Sequence, residues 1–328
     1  MKLEKSQVLK IVHNTLSCDY DEGGGLHLNR FTQKQLKAYE SENPQWLSCA
    51  KSSAGITFDF ITDSEYIALK MDLYEGADIW SNFDICVDGI FVSHKRFGNL
   101  WPKLISFSLP DGEHRITIYF PWSAEVVVSE VHLSDGASVK EIPERTKAII
   151  FGDSIVQGYV TNYTSLSFAN QVARDADIEL LNQGVGGYYF GIASIDPALA
   201  SYNPGLIIIS YGTNDYSRCE TLAEFESYMP KYVESLTSLF PDTKMLAILP
   251  VYRNDENVQT MTKYRDYTLD DVRRVLLETY LKYKNISVLK DTGIPHISEV
   301  FNNDLLHPNE LGFTFMAKTV AREVEKLI

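Results

Sequence analysis

Residues 147–158 read Lys147-Ala148-Ile149-Ile150-Phe151-Gly152-Asp153-Ser154-Ile155-Val156-Gln157-Gly158. The apolar run over residues 148–151 predicts a short buried strand. It stops at Gly152-Asp153-Ser154, and from Leu166 an apolar period of helical spacing sets in. A serine at the carboxyl end of a buried strand stands where open α/β sheets hold their ligands. The plainer reading is a strand-to-helix turn in which Asp153 or Ser154 caps the helix. Gly-Asp-Ser is common in turns, so the rest of the chain decides between the two.

Downstream, strand candidates at 148–151, 179–181, 206–210, 245–249 and 286–289 alternate with amphipathic helices. Leu222, Phe225, Met229, Val233 and Leu236 share one helix face, with Pro230 expected to kink it. Leu269, Val272, Leu276 and Tyr280 form a second stripe; Phe313, Met316, Val320, Val324 and Leu327 form a third. Such stripes are core faces. Strand-helix alternation predicts an α/β fold, a mostly parallel sheet with helices on both sides.

Upstream the pattern differs. Residues 56–61, 66–71, 83–87, 90–92, 105–109, 116–120 and 126–133 read as short strands with turn residues between them. Asp88-Gly89 is a two-residue hairpin signal. With no credible helix among them, these strands predict an antiparallel β-sandwich or jelly roll. Residues 1–50 are harder to read, beyond a short helix at 31–40 and a Gly-rich turn at 21–25. A polar connector at 137–147 places the expected boundary near residue 145, giving a sandwich domain over 1–145 and an α/β domain over 146–328.

The 328 residues carry a formal charge of −14, which opposes binding to a phosphate backbone and makes nucleic acid an unexpected partner. No run is long enough to span a bilayer, so no membrane partner is expected. The four cysteines, Cys18, Cys49, Cys86 and Cys219, are scattered without a Cys-x-x-Cys pair. They read as buried thiols of a reduced, cytoplasmic protein, with no structural zinc. The histidines His13, His27, His94, His114, His132 and His296 show no metal-binding spacing. The sequence leaves room for a homo-oligomer.

Three further stretches stand where strand ends meet loops: Asn182-Gln183-Gly184-Val185-Gly186-Gly187, Gly212-Thr213-Asn214-Asp215 and Asp304-Leu305-Leu306-His307-Pro308. Glycines let a backbone turn with its N–H groups exposed, as an oxyanion hole requires, and an asparagine amide can add a donor. A serine hydroxyl is a weak nucleophile until a base takes its proton and a carboxylate orients that base. Asp304 and His307 are close enough in sequence for one turn to hold the carboxylate against Nδ1, leaving Nε2 for Ser154.

Together with Gly152-Asp153-Ser154, these blocks resemble, in order and spacing, the four blocks of the SGNH (GDSL) hydrolases, over residues 147–328. The resemblance implies Ser154 as nucleophile, His307 as general base and Asp304 as its orienting acid. The oxyanion donors it implies are the Ser154 and Gly187 N–H groups and the Asn214 side chain; Gly186 is the neighbouring alternative. Asp153 and Asp215 are expected to hold loops. No cofactor is needed.

A sandwich ahead of such a domain is similar to two-domain carbohydrate esterases. This points to a serine esterase removing short, chiefly acetyl, groups from a carbohydrate, with an oligosaccharide or small-molecule ester as substrate. The alternatives are a lysophospholipase or thioesterase, and a carbohydrate-binding protein whose hydrolase-like domain is inactive. Tyr188, Tyr189, Tyr216 and Tyr252 are candidates to line the pocket, within a set that also includes Tyr159 and Tyr211. The polar loop 252–261 is a candidate cover. Trp46, Trp80, Trp101 and Trp122 could stack on sugar rings, though tryptophan in a small sandwich is more often core.

Overall fold

The computed structural model describes residues 1–98, 103–253 and 267–328. Trp101 and residues 254–261 of the expected cover loop lie outside the described residues. In chain order the first half supplies strands β1 (Val12–His13), β2 (Ser17–Tyr20), β3 (Leu26–Asn29), β4 (Thr57–Thr62), β5 (Tyr66–Glu75), β6 (Trp80–Val87), β7 (Ile90–Gly98), β8 (Leu104–Ser108), β9 (His114–Tyr119), β10 (Ala124–Leu133) and β11 (Lys140–Glu141). Its helices are α1 (Lys5–Leu9), α2 (Gln33–Glu42) and α3 (Pro44–Lys51).

All these strands pair antiparallel, in two sheets ordered β2-β3-β10-β5-β8 and β1-β4-β9-β6-β7, with β11 against β4. The inward residues of the sheets, among them Phe58, Phe60, Ile67, Leu69, Phe83, Ile85, Ile116 and Ile118, form one core between them, as in a β-sandwich. At the Asp88-Gly89 turn both residues have positive φ (50° and 79°), the backbone a tight hairpin between twisted strands needs. β1, β2 and β3 escaped the sequence reading because each is short, and the strands that hold β1 and the β2-β3 pair in their sheets are distant in sequence. β1 pairs with β4 and β3 with β10, which no local pattern announces.

The second half builds β12 (Lys147–Gly152), β13 (Glu179–Gly184), β14 (Leu206–Ser210), β15 (Lys244–Ile248) and β16 (Ile286–Leu289), every pair parallel, in the order β13-β12-β14-β15-β16. The helices are α4 (Ser154–Gln157), α5 (Phe168–Asp175), α6 (Thr213–Arg218), α7 (Leu222–Leu239), α8 (Leu269–Tyr280) and α9 (Glu310–Glu325). Pro230 lies inside α7, which continues through it. Ala148, Ile150, Ile208 and Leu246 face α5 and α9, whereas Ile149, Phe151, Ile207 and Ile209 face α7 and α8. Burial on both faces explains why these strands read as unbroken apolar runs. An antiparallel sandwich thus precedes a three-layer α/β unit. The chain reverses its direction of growth around β12, and the carboxyl ends of β12 and β14 border that switch point.

The second face of the parallel sheet is not covered by α7 and α8 alone. Phe31, Tyr39, Trp46, Cys49 and Ala50, from α2, α3 and the chain before them, share its core with Ile149, Phe151 and Leu181. α2 begins where it does because Thr32 Oγ1 accepts from the Gln35 N–H (3.1 Å) and the Gln35 side chain accepts from the Thr32 N–H (2.9 Å), a reciprocal cap. Arg30 is fully buried and has no carboxylate partner among the described residues. Its guanidinium donates to the carbonyls of Ser52 (2.7 Å), Cys49 (2.8 Å) and Asn182 (2.7 Å), tying the end of α3 to β13. Burial lowers its pKa to about 9, which leaves it charged at neutral pH.

Nor is the connector before β12 a loose linker. β11 pairs with Ile61 and Phe60 of β4, Ile142 is buried, and the Arg145 side chain is turned inward toward Asp59. A chain beginning at Glu144 would therefore uncover one face of its own sheet. Tyr39 and Trp46 alone represent roughly 1.5–3 kcal/mol of burial each. Such a chain is expected to be insoluble when expressed, and recovery of soluble, fully active protein would show that residues 1–143 are dispensable.

Candidate active site

Gly152 ends β12 under close quarters. A Cβ there would stand 2.2 Å from Val156 Cγ2 and 2.8 Å from the Ser210 carbonyl, so only glycine lets α4 fold back on the strand. Asp153 caps α4, its Oδ1 accepting from the Ile155 N–H at 2.9 Å. Ser154 is then the first helical residue. Its N–H has no partner among the described residues, as expected at a helix start.

His307 comes from the turn before α9. Nδ1 lies 2.6 Å from Asp304 Oδ2, and Nε2 lies 2.7 Å from Ser154 Oγ. An ionised carboxylate can only accept, so Nδ1 carries the proton and Nε2 faces the serine hydroxyl as acceptor. The other Asp304 oxygen accepts from the backbone N–H groups of Leu306 (3.0 Å) and His307 (2.9 Å). Burial pushes the Asp304 carboxyl up, but the His307 side-chain and backbone hydrogen bonds and that of Leu306 outweigh it and hold it at about 2. It therefore stays ionised at any pH at which the protein would be assayed.

After β13 the chain turns through Gly186 and Gly187. The Gly186 N–H donates to Gln157 Oε1 at 2.7 Å, whereas the Gly187 N–H has no partner among the described residues. Gly187 adopts a φ of 78°, a left-handed conformation that suits glycine. Asn214 follows β14, in the first turn of α6. Its Nδ2 donates one N–H to the Tyr188 carbonyl (2.9 Å), which orients the amide and leaves its second N–H over. Ser154, Gly187, Asn214 and His307 line one open cavity of about 440 Å³, with Gln45, Cys49, Tyr159 and Gly186.

The tyrosine candidates stand elsewhere. Tyr188 is fully buried, packed edge-on against Tyr39 and Trp46, so a pocket role for it is corrected to a core role. Tyr189 lies under the Arg218 guanidinium, 3.9 Å from its ring centre. Tyr216 is buried edge-on against Tyr267, and Tyr252 stacks on His296. None of the four lines the Ser154 cavity among the described residues. Tyr159 does instead, its ring 5.4 Å from that of His307. Tyr211 is also core. Trp46 and Trp122 are buried, and Trp80 is partly exposed beneath Arg96. Cys49, Cys86 and Cys219 are buried free thiols, whereas Cys18 is only half-buried.

The sequence reading also missed Gln157 and the wall from α3. Gln157 sends its amide to Trp122 O (3.0 Å) and Ser52 Oγ (3.1 Å) while holding the Gly186 N–H, so it links the first half to the glycine turn. Its position three residues after Ser154, one helical turn on, is the only local hint. Gln45 and Cys49 had no signal, since a helix in the first half says nothing about which sheet it covers.

Asp215 holds a loop: its Oδ1 accepts from Tyr228 OH (2.7 Å) and the Phe190 N–H (3.2 Å), and burial raises its carboxyl to about 6. Burial likewise raises Asp153 to about 7, against the opposing pull of the Ile155 N–H and His307. A carboxyl raised this way favours the folded state below its unfolded value, about 4. That contribution is lost as pH rises through about 7. Asparagine caps as well as aspartate but carries no charge. The Tm of Asp153→Asn minus that of wild type is therefore expected to increase from pH 5 to pH 8. A difference that stays flat or shrinks would show that Asp153 ionises without cost.

No helix among the described residues is long and apolar enough to cross a membrane. Four other histidines, His27, His94, His114 and His132, each lie 2.6–3.0 Å from a carboxylate.

No curated protein sequence matches the chain. Solved structures do match its fold. The salicylyl-acyltransferase SsfX3 of a tetracycline biosynthetic pathway is 19% identical, with a TM-score of 0.76 over 96% of this chain and 94% of that one. A family two carbohydrate esterase from Clostridium thermocellum, solved with cellohexaose, is 14% identical, with a TM-score of 0.68 over 96% of this chain and 98% of that one. An acetyl xylan esterase, Est2A, from the rumen bacterium Butyrivibrio proteoclasticus is 14% identical, with a TM-score of 0.64 over 99% of this chain and 98% of that one. These likenesses span both the sandwich and the parallel sheet. The sequence profile of the GDSL-like lipase/acylhydrolase family matches residues 150–314, from within β12 into α9, and the chain, an esterase by that class, belongs to this family.

Proposed function

We propose that the protein hydrolyses short-chain, chiefly acetyl, esters of a carbohydrate or glycoside through an acyl-enzyme on Ser154. His307 Nε2 takes the Ser154 proton as Oγ attacks the ester carbonyl carbon. Asp304 keeps Nδ1 protonated and stabilises the imidazolium that forms. The carbonyl oxygen, now negative, meets the N–H groups of Ser154 and Gly187 and the remaining Asn214 amide N–H. The imidazolium then returns its proton to the departing alcohol. Water, deprotonated by His307, attacks the acyl-enzyme, releases the acid and restores Ser154.

The observation that carries this reading is the unbroken relay from Asp304 through His307 to Ser154, at 2.6 and 2.7 Å. It also speaks against an inactive hydrolase-like domain serving only to bind. Support for a short acyl group comes from the cavity wall, whose described lining contains no leucine, isoleucine, valine or phenylalanine. A long acyl chain would lie against Gln45, Tyr159 and Asn214. The fold shared with a carbohydrate esterase and an acetyl xylan esterase supports the sugar ester. The free thiols Cys18, Cys49, Cys86 and Cys219 fit a reducing, cytoplasmic setting.

The test is turnover of p-nitrophenyl acetate, butyrate and octanoate, followed by mass spectrometry of acetylated oligosaccharides incubated with the enzyme. Acetate preference with loss of acetyl mass from a sugar is expected. Octanoate preference would favour a lysophospholipase or thioesterase, and no turnover of any ester would favour a binding protein.

A further inference from the structure

A second cavity, of about 370 Å³, lies where the sandwich meets α5, and it shares no lining residue with the Ser154 cavity. Its buried end is basic. Arg115 binds both oxygens of Asp59, Nε to Oδ1 at 2.9 Å and Nη2 to Oδ2 at 2.8 Å, and Thr117 Oγ1 donates to the same carboxylate at 3.2 Å. Arg145 Nη1 reaches Asp59 Oδ2 only at 3.4 Å. Asp59 thus stands between two guanidinium groups; the further carboxylates near them are Asp177, largely exposed and 3.9 Å from Arg115 Nη1, and Glu179, which acts on Arg145 through space.

The Arg145 side chain is 8% exposed, and its Nη2 has no hydrogen-bond partner among the described residues. Arg174 adds a third guanidinium to the wall, with Nη1 on the Ser165 carbonyl (3.1 Å) and Nε on Asp175 (3.2 Å). The acidic groups Asp88 and Asp177 are more than half exposed, and Asp88 is already paired with His114 at 2.7 Å.

We propose that this cavity binds a small molecule bearing a single oxyanion group, a carboxylate or a phosphate, with Arg145 as the principal donor. A buried guanidinium N–H without an acceptor is costly, and the planar fork of arginine is matched by the paired oxygens of these two groups. A long polyanion is a poor fit, since it would meet the exposed Asp88 and Asp177 and the overall charge of −14. The volume falls in the range of ordinary small-molecule pockets, roughly 300–1,000 Å³. An occupant would touch β4, β9, the connector and α5 together, and so bind only the assembled chain. The proposal is independent of the esterase mechanism.

The test uses the full-length protein and follows thermal unfolding in phosphate, acetate and chloride at matched pH and ionic strength. Phosphate or acetate is expected to raise Tm saturably, by at least ~2 °C beyond chloride. Arg145→Gln should abolish that gain while p-nitrophenyl acetate turnover is kept. General salting-out stabilisation would persist in the variant. A gain with phosphate alone identifies a phosphate ligand, and a gain with acetate alone a carboxylate. Equal responses to all three anions would mean a water-filled cavity only and overturn the proposal, as would an undiminished gain in Arg145→Gln. Should Arg145→Gln fail to fold, Arg174→Gln replaces it: a reduced gain supports the site, and an unchanged gain overturns it.

Discussion

Ser154→Ala is expected to lower kcat for ester hydrolysis by at least ~10³-fold while Tm stays near the wild-type value. The serine Oγ makes one side-chain hydrogen bond among the described residues, to His307 Nε2, and sits at a cavity wall rather than in the core. Removing it deletes the attacking atom without opening a cavity among packed groups. The backbone around it is held by other means, since the Ser154 carbonyl accepts from the N–H groups of Gly158 (3.0 Å) and Tyr159 (2.9 Å), and Asp153 caps the helix. The residual rate should come from the oxyanion donors and from binding. A Ser154→Ala/His307→Ala double variant should therefore be little worse than either single variant, because residues acting as a unit are lost as a unit. Near-wild-type turnover in purified Ser154→Ala protein would remove Ser154 from the mechanism.

The second large effect is expected at Asp304. In Asp304→Asn the remaining carbonyl oxygen can still accept from the N–H groups of Leu306 and His307. The turn is also tied by Asn302, whose N–H donates to the His307 carbonyl at 2.8 Å and whose carbonyl accepts from the Leu305 N–H at 2.9 Å. The loop therefore keeps its shape. What changes is the group facing Nδ1: an amide NH₂ can only donate, so Nδ1 must become the acceptor and the proton moves to Nε2, toward Ser154. The base is then in the wrong tautomer, and no negative charge stabilises the imidazolium. A fall of ~10²–10⁴-fold in kcat is expected, with a smaller change in KM, as for an interaction strongest in the transition state. With the carboxyl held at about 2, the loss should persist across pH 6 to 9 rather than titrate within it. Activity within a few-fold of wild type over that range would mean that something other than Asp304 orients His307.

Much of this architecture was legible because its signals are local. Residues 148–151 and 206–209 are apolar without a break because both faces of their strands are buried, and the stripes of α7, α8 and α9 repeat at helical spacing for the matching reason. The reactive blocks could be read because a parallel sheet sends all its carboxyl ends to one edge, so short motifs after β12, β13 and β14 meet in space while remaining short in sequence. Which of Gly186 and Gly187 keeps its N–H unengaged among the described residues was not local. It turns on Gln157, whose amide oxygen accepts from the Gly186 N–H. The tyrosines misled because adjacency to a motif says nothing about direction. Tyr188 is a neighbour of Gly187, yet its ring points into the core beside Tyr39 and Trp46.

The sequence by itself determined the two grammars of the chain, the order of its sheet-forming segments and the residue types at the ends of three parallel strands. These depend on periodicity and on side chains a few positions apart, which the order of residues records directly. Only the tertiary structure decided that the two halves are one packed body. The other face of the parallel sheet is closed by α2 and α3, Arg30 joins Cys49 to Asn182, and the cavity at Ser154 takes a wall from Gln45 and Cys49. The bond from Arg30 to Asn182 and the cavity wall from Gln45 and Cys49 each join residues more than a hundred positions apart. The apolar surface they bury belongs to neither segment alone, so nothing in either segment's own pattern could announce its partner.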